Sequence, residues 1–118
     1  MNHHDPAEQG KILVAADAGI SIGSTSDVSK ALGATWGCAG LILTEDDVSP
    51  EFFDLKSGLA GELFQKFANY ALCLAIVVPG PERYGERFNE LAREHTSHNR
   101  IRIVRCKEDA VAWLRRGR

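Results

Sequence analysis

Seven consecutive apolar residues, Leu72-Cys73-Leu74-Ala75-Ile76-Val77-Val78, constrain this chain more than any other feature. The run is short for a helix and rich in branched side chains, so it reads as a β-strand covered on both faces. Pro79-Gly80-Pro81 terminates it.

The flanking pattern supplies the covering layers. Leu59, Leu63, Phe67 and Tyr70 recur at three- and four-residue steps behind Lys56-Ser57-Gly58, with Glu62, Gln65, Lys66 and Asn69 opposite. This predicts an amphipathic helix with a wide buried stripe that includes Tyr70. Val28, Ala31 and Leu32 mark an earlier helix behind the capping pair Ser24 and Asp27. Tyr84, Phe88, Leu91, Ala92 and His95 mark a third. Ala110, Val111 and Leu114 mark a last one behind Lys107-Glu108-Asp109. Strands are expected at Ile12–Ala16, Ile20–Ile22, Leu41–Thr44 and Ile101–Cys106, the first two as a hairpin. The order β-β-α-β-α-β-α-β-α predicts an α/β fold: one domain over residues 11–118, with a mixed, mostly parallel sheet of about five strands and helices packed on it. Residues 1–10 are polar and expected to fray.

A chain of 118 residues buries roughly 65% of its unfolded surface, enough for one core. No apolar run approaches the ~20 residues of a membrane span, and the N-terminus has no secretory pattern. A cytoplasmic protein without membrane contact is expected. Three cysteines without C-x-x-C spacing argue against a disulfide framework or a zinc site. Cys73 and Cys106 lie in apolar runs, where free cysteine acts as a small core hydrophobe. Residues 1–78 carry four basic and ten acidic side chains, a net −6; residues 79–118 carry ten and six, a net +4. Such polarity fits a charged protein partner or a homodimer, and also two solvated faces. Nucleic acid is not expected to be a partner, because the chain is acidic overall and its basic third lacks interleaved aromatics.

The motifs for catalysis return little. There is no G-x-x-x-x-G-K-[ST], no G-x-G-x-x-G after a strand and no G-x-S-x-G. No cofactor and no metal is expected. His95 and His98 are three apart, but no Cys or Glu pattern completes a metal site. Glu45-Asp46-Asp47 follows the strand Leu41–Thr44, at the carboxyl end where open α/β sheets bind ligands. Three adjacent acids could hold Mg²⁺ with Thr44 and Ser57 nearby; the plainer reading is a polar loop. Ser57-Gly58 opens the amphipathic helix. A hydroxyl there is first a cap, and the exposed N–H groups and helix dipole also favour a phosphate on it.

The run from Phe52 to Tyr70, followed by Leu74-Ala75-Ile76-Val77, resembles the bacterial domain of unknown function 4180 family. Weaker similarity extends from about Lys11 to Leu114. That family usually continues after the strand with Gly-Asp and an aromatic, where this chain has Val78-Pro79-Gly80-Pro81. The resemblance implies no activity or cofactor. Asp54-Leu55-Lys56-Ser57-Gly58-Leu59 is more distantly similar to the STAS-type anti-sigma-factor antagonists, in which a hydroxyl at such a helix start is phosphorylated by a partner kinase. That resemblance implies a STAS-like fold and a non-enzymatic regulatory module. Its ligand or phospho-site candidates are Ser57, Gly58 and Asp54 at the helix start, with Thr44, Glu45 and Asp46 at the strand end. The alternative is a small enzyme or ligand-binding domain with an acidic site at Thr44, Glu45 and Asp46.

Overall fold

The apolar run is the third strand of a four-stranded sheet. The computed structural model describes residues 10–116; residues 1–9, expected to fray, and 117–118 lie outside the described residues. The strands are β1 (Ile12–Val14), β2 (Gly40–Thr44), β3 (Leu74–Val77) and β4 (Ile101–Val104). They lie in the order β1-β2-β3-β4, all parallel. Between them run α1 (Ala15–Ala18), α2 (Thr25–Thr35), α3 (Leu59–Asn69) and α4 (Glu86–Glu94), and α5 (Lys107–Arg116) follows β4.

Each step across the sheet goes the same way, so right-handed crossovers place α2, α3 and α4 on one face. Burial agrees. Val28 and Ala31 of α2, Leu63 and Phe67 of α3, and Phe88 and Ala92 of α4 form one core with Leu41, Leu43, Leu74, Ile76, Ile101 and Ile103. The alternate strand residues Ile42, Ala75 and Val77 face the other way and are covered by Ala110, Trp113 and Leu114 of α5. Gly40 permits that approach. A Cβ there would stand 2.5 Å from Leu114 Cδ2 and 3.0 Å from the Cys73 carbonyl oxygen. On β4, Arg102 occupies the α5 face and lays its guanidinium 4.8 Å from the Trp113 ring centroid.

Three expectations change. Ile20–Ile22 does not form a hairpin with β1. Ala15 and Ala16 leave the strand for the single turn α1, closed by Gly19 at φ 71°. Ile22 is fully buried and pairs with Val48 in one isolated parallel bridge, exchanging bonds with the Asp47 carbonyl (2.8 Å) and the Ser49 N–H (2.9 Å). The segment thus joins the loop after β2, because Ile22 is needed under α2 rather than at a sheet edge. Tyr70 lies past the end of α3 and is 51% exposed, so the buried stripe stops at Phe67. Cys73 is buried as expected, whereas Cys106 is half-buried on the turn after β4. Among the described residues no helix is long and apolar enough to cross a membrane.

Candidate functional site

The carboxyl ends of β2 and β3 carry most of the polar and aromatic chemistry. Thr44, the last residue of β2, is a cap. Its N–H (2.7 Å) and hydroxyl (3.0 Å) both donate to the Asp47 carboxylate, and its hydroxyl accepts the Asp46 N–H at 3.3 Å. This capping box turns Glu45–Asp47 into one 3-10 turn and accounts for the buried Asp47. Glu45 turns the other way: it accepts the Tyr84 hydroxyl proton and lies 3.8 Å from the Arg83 guanidinium. Asp46 is exposed. The three adjacent acids are therefore committed in three directions. Among the described residues, no group of three or more His, Cys, Asp or Glu is placed to hold a metal ion.

Tyr84 links the two strand ends. Pro81 starts a 3-10 turn that ends at Tyr84, and Gly85 at φ 98° redirects the chain into α4. The phenol ring then stacks on Phe53, centroids 3.7 Å apart and planes 9° from parallel, while Phe88 meets both edge-on. The hydrogen bond to Glu45, and then burial, raise the Tyr84 phenol above its ordinary pKa. Beside the stack lies a shallow groove of about 380 Å³, floored by Phe53, Tyr84 and Phe88 and rimmed by Asp54, Lys56, Glu86 and Arg87.

Ser57 follows Lys56 and is exposed. Its hydroxyl donates to the Glu51 carbonyl at 2.6 Å and accepts the Leu59 N–H at 3.3 Å, tying the first N–H of α3 to the preceding turn; the N-cap residue itself is Gly58, without a side-chain cap bond. Gly58, at φ 80°, supplies the left-handed residue that turns the preceding 3-10 segment into the helix. Asp54 caps that segment through the Lys56 N–H at 3.2 Å. Asp54, Ser57 and Gly58 thus form one capping assembly, whereas Thr44, Glu45 and Asp46 belong to another. Among the described residues no hydrogen bond or ion pair joins Ser57 to those three. Tyr84 and Arg83 were not legible as partners of Glu45. The adjacent Phe52-Phe53 pair, beside a strand-end loop, was the available hint of an aromatic cluster there.

Sheet topology locates one further position. Ligand crevices in open α/β sheets form where successive connections leave for opposite faces. Here that happens between β3, which leads to α4, and β4, which leads to α5. The gap is nearly closed: Arg105 Nη1 donates to the Pro79 carbonyl at 2.9 Å across it, and the space beneath is about 50 Å³. No carboxylate of Glu45-Asp46-Asp47 lines that gap.

His95 and His98 stack with centroids 5.2 Å apart. His95 Nδ1 bonds the Leu91 carbonyl (2.9 Å), while His98 Nδ1 accepts the N–H groups of Arg100 (3.0 Å) and Ile101 (3.1 Å). Their ring nitrogens thus hold the turn between α4 and β4.

No curated protein and no solved structure matches the chain. The family described as Domain of unknown function (DUF4180) matches residues 7–114, nearly the whole sequence and every element of the fold except the last turn of α5. The chain belongs to the DUF4180 family.

Proposed function

We propose that this chain is a non-enzymatic regulatory module of STAS-like type. It docks a protein partner over the surface where α3 begins, and Ser57 is its phosphorylation switch. The observation that carries the reading is the position of the Ser57 hydroxyl: exposed, at the start of α3, directly after a lysine on the rim of an aromatic-floored groove. A phosphoryl group on that oxygen removes the proton donated to the Glu51 carbonyl. It also adds about two negative charges, which the α3 dipole and Lys56 favour. The local capping geometry and the charge of the groove rim would change together. The likeness of Ser57-Gly58-Leu59 to the phosphorylated helix start of the STAS antagonists supports the same reading.

The test compares binding of native partners to the wild type, Ser57→Ala and Ser57→Asp, with affinities measured for each. Ser57→Asp is expected to change affinity about tenfold or more, while Ser57→Ala stays near wild type at a modest cost in helix stability, about 1 kcal/mol. Equal affinity of Ser57→Asp and wild type for the same partners would end the switch reading. The groove beside Tyr84 favours a second reading, a small-molecule site, lined by Phe53, Asp54, Lys56, Tyr84 and Arg87 rather than by Thr44, Glu45 and Asp46. Thermal-shift screening with divalent metals and nucleotides separates the two, since the regulatory reading expects no stabilisation by either class.

A further inference from the structure

The two edges of the sheet are treated differently. At β4 the outward N–H of Ile103 donates to the His95 carbonyl at 3.0 Å, so the turn after α4 folds over that edge. Arg102 adds a bond from Nε to the His98 carbonyl at 3.0 Å. At β1 no described residue pairs with the outer edge. A strand paired on one side presents every second N–H and C=O outward, and natural sheets block such edges with charge, proline or a covering loop. Among the described residues Ile12-Leu13-Val14 has none of these, and all three side chains are only half-buried. Along this edge runs a groove of about 150 Å³, lined by β1 with Lys11 at one end and Asp17 and Ala18 at the other. Lys11 and Asp17 are exposed, and among the described residues neither is in an ion pair.

We infer that the occupant of this edge is a second copy of the chain, added strand to strand as β1 against β1. A twofold axis makes that pairing antiparallel and self-complementary. Centred on Leu13, it sets Ile12 opposite Val14 of the partner subunit. It carries Lys11 toward Asp17 of the partner subunit, and the axis makes the contact twice. The charge pattern is what selects a second copy: opposite charges at the two ends of one short edge match their own inverse. Main-chain hydrogen bonds supply the attraction and the two ion pairs set register and orientation. Because β1 spans only about 10 Å of strand, the dimer is a weak one that dissociates on dilution. This inference is independent of Ser57.

The experiment is sedimentation velocity of the full chain over a wide concentration range, for the wild type, Lys11→Glu, Asp17→Lys and the combined swap. All three substitutions are at exposed positions, so the fold is retained. An exposed ion pair accounts for up to about fivefold in affinity. With two contacts per dimer, each single reversal is expected to weaken dimerisation by roughly tenfold or more, and the swap to restore it. Hydrogen exchange should show the outward N–H groups of Ile12 and Val14 protected only in the dimer, with Leu13, bonded to β2, as the internal reference. A monomer at every concentration overturns the inference, as does a dimer indifferent to both reversals or a swap that does not restore association. Protection of the Ile12 and Val14 N–H groups in the monomer also overturns it, because the chain's own N-terminal residues would then cover the edge.

Discussion

The hydroxyl of Tyr84 donates to the carboxylate of Glu45, joining the turn after β3 to the turn after β2. The two residues are 39 apart in sequence, and their bond, with the Arg83 guanidinium 3.8 Å from the same carboxylate, ties the two strand-end loops together. The Phe53 ring, stacked on Tyr84, completes the join.

Tyr84→Phe removes that bond and keeps the stack. Stability is expected to fall by about 1 kcal/mol, the usual net contribution of one hydrogen bond. The denaturation midpoint should drop with the slope unchanged. The folded chain holds the phenol protonated, so its contribution is complete below the ordinary value of 10.0 and is lost as pH rises through the raised pKa. Wild type should therefore lose stability in that alkaline window while Tyr84→Phe stays flatter. An alkaline titration of tyrosine absorbance checks the assignment, with a phenol that titrates above its ordinary value present in wild type and missing from the variant.

His98 should make the turn before β4 sensitive to acid. Its Nδ1 accepts two backbone N–H groups and so must be unprotonated. Burial first, then His95 and Arg102, lower its pKa below 6.5. The folded state favours the neutral ring, so the stabilisation is complete above 6.5 and is lost as pH falls through the depressed value. His98→Asn keeps an acceptor near the Nδ1 position but does not titrate there. Its stability should decline less than that of wild type on acidification, and imidazole NMR titration should place His98 below the ordinary histidine value. A His98 that titrates at or above 6.5 contradicts this.

Gly40→Ala should be costly despite its small size. The added methyl would meet Leu114 Cδ2 and the Cys73 carbonyl, so α5 must shift on the sheet. Overpacking of this kind costs about 1–3 kcal/mol. Trp113 is buried on the same helix, so its fluorescence should report the displaced contact, and thermal unfolding the lost stability.

The helices α2 to α5 and strand β4 were legible from apolar periods near 3.6 and two, and β2 and β3 from short unbroken apolar runs. Ile20–Ile22 misled because alternation over three residues fits both a strand and a buried loop. What decides there is Gly19, which closes α1 and sends Ile22 to Val48. Tyr70 misled because spacing marks a face but not where the helix ends. Among the candidate site residues, the place of Ser57 just before a helix was readable, but the N-cap position falls to Gly58 because its left-handed backbone makes the turn into α3. The separate fates of Glu45 and Asp47 were not, because Tyr84 reaches Glu45 only through the crossover, while the local capping box claims Asp47.

By itself the sequence determined an α/β domain built around a two-sided buried strand, because apolar period and run length are local properties of the chain. Only the tertiary structure decided that the sheet runs β1-β2-β3-β4 wholly in parallel, that α5 covers its second face, and that His95 closes one edge while no described residue pairs with the other. Those outcomes depend on which distant backbone groups meet, and no periodicity along the chain encodes that choice.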